Sequence, residues 1–312
     1  MDEEKNIGTD ISQQPLIKEA ISTEEKSKNT RSEPLKFKPK ALVASSGGVK
    51  GFYQLGALVV ADEKYQLLSE VDTFAGTSVG AAIMYLLAIG YSPYQIFMIA
   101  LHTKLISNLS DISISKAIQN SGILENTKMI DLLTTLTKAK MKTIPTLLEL
   151  KNKYGKHFIA TTVNLTNEDR LEYLDYNTYP DLNCITAVIM SMTIPGIFEK
   201  MEYKGCLYVD GALANPYPIN YVDDGKRDVL GVCINMKRQG SITKTEYFCR
   251  AAMVSMDTIK EMLKAGASDK CKTINIMSHS LSLIDIGDTF EQRVTMFYEG
   301  MDTGRKVCST FV

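Results

Sequence analysis

Two strand–loop–helix units in immediate succession fix the class of fold open to this chain. The first runs from the apolar stretch Lys40-Ala41-Leu42-Val43-Ala44 through Ser45-Ser46-Gly47-Gly48-Val49-Lys50-Gly51 into an apolar helix from Phe52 to about Glu63. The second leads from the strand-like residues Val71 to Ala75, through Gly76-Thr77-Ser78-Val79-Gly80, into a buried helix over Ala81 to Ala88 that Gly90 ends. A strand followed by a helix and another strand builds a parallel pair. The expectation is therefore an α/β fold: a single domain with a mainly parallel central sheet flanked by helices. Further strands are expected at 157–163, 203–209, 229–236 and 271–277. Helices are expected over 93–142 with a break at Gly122, over 181–192 and 244–266, and from Phe290 to Val307.

Both loops open a helix, where unpaired backbone N–H groups and the helix dipole favour an anion. The first is neither a Gly-x-x-x-x-Gly-Lys-Ser/Thr phosphate loop nor a Gly-x-Gly-x-x-Gly dinucleotide turn. The second reads Gly-x-Ser-x-Gly. Glycines two residues either side of Ser78 let strand and helix approach closely, which pushes the serine oxygen out of the turn. The plainer reading is a tight turn with Ser78 as helix cap. A nucleophilic serine needs a base, and the chain has three histidines, His102, His157 and His279. His102 follows an apolar helix and His157 opens a strand, positions that suit structural roles. The order Ser78, Asp210, His279 matches a serine–aspartate–histidine triad of the α/β-hydrolase kind. Against it, one strand–helix unit precedes Ser78 where such folds lay down several, and the glycine loop carries a lysine in place of a histidine.

Composition narrows the partners. The 312 residues carry a formal net charge of −1, which gives no footing for nucleic acid. Six cysteines are scattered without a Cys-x-x-Cys pair, as expected for reduced thiols in the cytoplasm and not for a zinc site. Apart from His102, no acid or base occurs between Asp72 and Lys104, a length that could span a bilayer. The Gly76–Gly80 turn and Gly90-Tyr91-Ser92-Pro93 interrupt it, so two buried helices explain it better. Residues 1–38 lack apolar periodicity and read as a disordered polar tail ahead of a domain over 39–312. Its basic end, Arg31 to Lys40 with Phe37 inside it, is either a solvated linker or a contact for anionic lipid headgroups.

Three motifs in order, Gly47-Gly48-Val49-Lys50-Gly51, Gly76-Thr77-Ser78-Val79-Gly80 and Asp210-Gly211-Ala212, resemble those of the patatin-like phospholipase family. Supporting blocks agree: Thr146 to Leu150 with Tyr154-Gly155-Lys156, Ser191-Met192-Thr193-Ile194-Pro195-Gly196-Ile197-Phe198, and Phe297-Tyr298-Glu299-Gly300-Met301. Two departures are mild: Asp-Gly-Ala where Asp-Gly-Gly is common, and Ser-Met-Thr-Ile-Pro in place of a block richer in alanine. The resemblance covers about Lys40 to Val307. It implies a serine–aspartate dyad without histidine, Ser78 as nucleophile and Asp210 as base. The amides of Gly47, Gly48 and Val49, with that of Val79, would form the oxyanion hole. Lys50, Gly51, Gly76, Gly80, Gly211 and Ala212 would support the motifs. The implied substrate is a phospholipid or other acyl lipid met through peripheral membrane contact. No cofactor or metal is called for, and no activating protein partner is readable. The apolar stretch from Tyr94 to about Leu136 is a candidate cap over an acyl groove. Acyl transfer to an alcohol, or lipid binding with an idle dyad, would use the same residues.

Overall fold

The computed structural model describes residues 37–103, 126–166, 170–236, 244–278 and 289–311, with residues 244–252 described by their backbone. In chain order, β1 (Ala41–Ala44) leads through a 3-10 turn (Gly48–Lys50) into α1 (Gly51–Val59), which ends in one π turn (Val60–Lys64). β2 (Thr73–Thr77), α2 (Val79–Ala88) and α3 (Pro93–His102) follow. Then come α4 (Thr127–Lys140), α5 (Leu147–Tyr154), β3 (His157–Asn164) and β4 (Leu171–Leu174). α6 (Cys184–Met192) precedes the hairpin β5 (Met201–Tyr203) and β6 (Cys206–Asp210). The described chain closes with α7 (Ile219–Val222), β7 (Val229–Met236), α8 (Lys244–Ala265), β8 (Cys271–Ser278) and α9 (Phe290–Cys308).

The eight strands form one sheet in the order β5-β6-β3-β2-β1-β7-β8, with β4 also on β3. β1 pairs in parallel with β2 and β7, β2 with β3, and β7 with β8. β3–β4, β3–β6 and β5–β6 are antiparallel. Every residue of β1 and β2 is buried, as a central parallel strand covered on both faces requires, hence their unbroken apolar or small side chains. The β5–β6 turn falls at Lys204 (φ 50°) and Gly205 (φ 78°), the two positive values that a tight hairpin turn demands. Helix ends follow local chemistry. Ser92 and Gln95 form a capping box with Pro93 in the first turn of α3, and Gly155 (φ 69°) closes α5.

One detail of the sheet positions the site. Thr161 of β3 pairs with Thr77 on one side and Tyr173 on the other, while Thr162 pairs with Asp210 and Glu172. β4 therefore occupies one edge of β3, and β2 and β6 share the opposite edge. Since β2 runs with β3 and β6 against it, their ends meet head to head. Thr77 and Asp210 are neighbours across that junction.

The helices expected over 93–142 are α3 and α4, and the stretch between them, Gly122 included, lies outside the described residues. β4 was not expected. α9 lies flat on α1 because glycines stand at the contact: a methyl group at Gly304 would come within 3.0 Å of the Ala57 Cα. Residues just ahead of 39 also make contacts with the domain. Phe37 is buried, its ring 5.5 Å from that of Phe311, and the Lys38 N–H donates to Asp228 Oδ2 at 3.2 Å. A chain starting after residue 38 is thus expected to melt several degrees below one starting after residue 35 (on the order of 2 kcal/mol for a buried aromatic). Calorimetry on the two truncations checks this, and equal melting points would refute it.

Candidate active site

Ser78 stands between the last residue of β2 and the first of α2, and its backbone is forced: φ 60°, ψ −129°. Non-glycine residues avoid this region, so the surrounding structure must hold it there. The flanking glycines explain how. A methyl at Gly80 would lie 2.6 Å from the carbonyl oxygens of Ala44 and Ser45, and one at Gly76 would strike the backbone of Gly80. The turn is pressed onto β1. Thr77 Oγ1 donates to the Asn215 carbonyl at 2.9 Å, and the Ser78 N–H donates to Ser191 Oγ at 2.9 Å.

Asp210 ends β6, one ladder position beyond Thr77. Its N–H donates to the Thr193 carbonyl at 2.8 Å, and its Oδ1 accepts from the Ala212 N–H at 2.8 Å. The Ser78 hydroxyl is near enough to the same carboxylate to favour its charged form. Asp210 is 3 % exposed. Desolvation pushes its carboxyl up from 3.8 to about 6, although the contacts from Ser78 and Ala212 pull it down. A methyl at Gly211 would strike the Thr161 carbonyl, so the turn after Asp210 also needs glycine at that point.

The 3-10 turn puts the N–H groups of Gly48 and Val49 ahead of its first internal bond, Lys50 N–H to the Gly47 carbonyl at 3.1 Å. Gly48, Val49, Ser78 and Val79 line one cavity of about 190 Å³. Its remaining wall is apolar apart from Thr103 and Arg293, and draws on Leu55, Leu86, Ile99, Leu136 and Met192. α3 and α4, the described part of the expected cap, form one side of it. Gly51 admits the close approach of Val79, whose Cγ2 would meet a methyl there at 2.8 Å. Gly47 and Lys50 face the other way, into a small space with Met236, Asp257 and Lys260. Lys50 is 1 % exposed, with its Nζ 3.1 Å from Met236 Sδ.

The histidines separate clearly. His157 Nε2 lies 3.1 Å from Asp175 Oδ2, at the opposite end of β3, four residues or about 13 Å along the strand from Thr161. His102 ends α3 with its ring 6.0 Å from Phe290. His279 lies outside the described residues. The sequence reading did not single out Ser191 or Thr193, which hold the backbones of Ser78 and Asp210, or Asn215, whose carbonyl accepts from the Thr77 side chain. Ser191 and Thr193 did stand in the quoted block that ends at Phe198, which was the available signal. Among the described residues, no group of three His, Cys, Asp or Glu side chains is arranged to hold a metal, and no helix is long and apolar enough to cross a membrane. Cys184, Cys233, Cys271 and Cys308 are free thiols.

Comparison with known proteins agrees with the fold. The chain is 32% identical over 184 residues to "Probable lipid hydrolase 463L" of Invertebrate iridescent virus 6, covering 58% of this chain and 62% of that one. It is 29% identical over 199 residues to "Uncharacterized protein R571" of Acanthamoeba polyphaga mimivirus, covering 62% and 64% respectively. The match therefore spans less than two thirds of either relative. Among solved structures, VipD from Legionella pneumophila superposes with a TM-score of 0.55 at 17% identity over 94% of this chain and 73% of VipD. The type III effector protein ExoU gives 0.52 at 15% identity over 90% and 54%. These two share the fold. The model of the family described as "Patatin-like phospholipase" matches residues 42–223, more than half the chain. With that match, the chain belongs to the patatin-like phospholipase family.

Proposed function

We propose that this protein hydrolyses ester bonds of phospholipids or related acyl lipids, with Ser78 as nucleophile and Asp210 as its base. The observation that carries this reading is the shared burial of Ser78 and Asp210 beside a cavity fit for a hydrocarbon chain. Ser78 Oγ attacks the ester carbonyl while its proton passes to the Asp210 carboxylate. The N–H groups of Gly48, Val49 and Val79 surround the place where the oxyanion develops. The alcohol leaves with the proton from Asp210, and the acyl group stays on Ser78 with its chain in the cavity. Water then attacks the acyl-serine, Asp210 takes the water proton, and that proton returns to Ser78 Oγ as the fatty acid departs. Lys50, facing the back of the loop, supports its shape.

The lipid would be met at a membrane surface by a peripheral protein of the cytoplasm. α3 and α9, both in the cavity wall, carry the exposed aromatics Tyr94, Phe290 and Tyr298, side chains suited to an interface. An alkyl fluorophosphonate is expected to label the wild-type chain at Ser78 and to block fatty-acid release from phosphatidylcholine vesicles. No labelling and no release would overturn the reading.

The pH dependence follows from Asp210. The base must be ionised, and burial holds its carboxyl at about 6. The value of kcat/KM is therefore expected to rise with pH through about 6 and level off above it. A profile flat from about pH 5 to about pH 8 would mean that another group takes the proton.

A further inference from the structure

We infer that Ser191 is a positioning residue for the reaction, holding the nucleophile's turn in register with the base through the end of α6. The inference rests on the serine–aspartate reading above. Two backbone amides from distant parts of the chain converge on one short stretch. The Ser78 N–H donates to Ser191 Oγ at 2.9 Å, and the Asp210 N–H donates to the Thr193 carbonyl at 2.8 Å. The same helix end is tied to β6 a second time: Thr162 Oγ1 lies 3.2 Å from the Met190 carbonyl and 2.9 Å from that of Val209. Thr193 Oγ1 donates to the Ile189 carbonyl at 2.8 Å, which closes the helix where the bracket is formed.

The physical need for a bracket is plain. Ser78 sits at φ 60°, a conformation its own sequence does not favour, and its N–H is buried. Ser191 gives that N–H an acceptor and fixes its direction, and the oxyanion is left to the amides of neighbouring residues. Ser191 is fully buried and is absent from the cavity wall, whereas Met192 and Ile194 on either side of Thr193 line it. One stretch thus joins the acyl cavity to both reacting residues, while Ser191 itself touches neither substrate nor the Asp210 carboxylate. Without its hydroxyl the turn loses its restraint, and Ser78 Oγ drifts from the carboxylate.

The test compares Ser191→Ala with wild type, counting active sites by exhaustive fluorophosphonate labelling. Expected for Ser191→Ala is a fall in kcat per labelled site of about tenfold to a hundredfold, with KM within about twofold. The acid limb of kcat/KM should move to higher pH, because the Ser78 contact that lowers the Asp210 pKa is weakened. Ser191→Thr, which keeps the acceptor, should restore both. Asp175→Asn, a destabilising change at the far end of β3, should lower the melting temperature without moving the limb. Wild-type kcat per labelled site and an unmoved limb in Ser191→Ala would overturn the inference, as would a folded Ser191→Thr that fails to recover. Should Ser191→Ala not fold, Ser191→Cys, with similar volume and a weaker acceptor, carries the same expectation, and wild-type behaviour would overturn it. Wild-type protein that neither hydrolyses lipid nor takes the label would instead remove the serine–aspartate reading beneath it.

Discussion

Ser78→Ala and Asp210→Asn are each expected to lower ester turnover by at least about a thousandfold. On the proposed dyad, the serine oxygen is a poor nucleophile until its proton leaves, and the buried Asp210 carboxylate beside it would accept that proton. Neither group has a use without the other, so the double variant should be no slower than Ser78→Ala alone. Steady-state release of fatty acid from phosphatidylcholine vesicles measures this. Substantial activity remaining in Asp210→Asn would rule out the dyad. His279→Ala should change the rate little. A loss as large as that of Ser78→Ala would make histidine the base and leave Asp210 to orient it.

Asp210→Asn has an opposite expected effect on stability. A carboxyl whose folded-state pKa, about 6, lies above its ordinary 3.8 destabilises the folded chain at neutral pH. That penalty fades as pH falls from about 6 towards 3.8. At pH 7 the asparagine variant should therefore melt above wild type, with the advantage shrinking in mild acid.

The largest expected loss of stability lies elsewhere, at Asp175. This carboxylate is buried, with Oδ1 accepting from the N–H groups of Asn177 and Thr178 at 2.9 and 3.0 Å. Its Oδ2 accepts from Tyr221 Oη at 3.2 Å and lies 3.1 Å from His157 Nε2. Asp175→Ala removes the centre of that cluster and leaves buried donors unpaired, which should destabilise by about 3 kcal/mol. For a domain of this size that is a fall of roughly 6 to 12 °C in melting temperature. Burial raises the Asp175 pKa, but the contacts from His157, Thr178 and Asn177 outweigh it and hold the carboxyl at about 2. A depressed pKa stabilises the fold above the ordinary 3.8 and ceases to do so as pH falls through about 2. The gap between wild type and Asp175→Ala should be full at neutral pH and close across that acid window. A gap independent of pH would mean that the cluster stabilises by packing and not by charge.

Much of the fold was legible because its central strands announce themselves. β1, β2 and β7 are nearly continuous runs of apolar or small residues bounded by loops, Asn235 of β7 apart, as burial of a parallel strand on both faces favours. β4 was hidden by the same logic. Leu171-Glu172-Tyr173-Leu174 is half exposed at its first three positions and carries a charge, so it offers neither a buried run nor a clean alternation. Phe37 was lost in a basic stretch because a lone aromatic has no periodicity to read. Of the candidate site, Ser78 and Asp210 were legible because their turns demand glycines at fixed spacings. Ser191 and Thr193 carry no such local demand: their partners are backbone amides more than a hundred residues upstream or on the far arm of a hairpin. Only the folded chain brings them together.

The separation of Ser78 and Asp210 is counted in hydrogen bonds along β3, not in residues along the chain. Surface loops joining the two can lengthen or shorten without altering it, provided that Thr162–Asn164 stays paired with Asp210–Tyr208 and the Ser191–Thr193 stretch keeps its place. A one-residue slip of β6 would be far more damaging than any such insertion. It would keep a sheet with nearly all its bonds and turn the Asp210 side chain to the opposite face. The burial of Tyr208 and Val209 beside Asp210 is what guards against that slip, so the packing of β6 also fixes the alignment on which the chemistry depends.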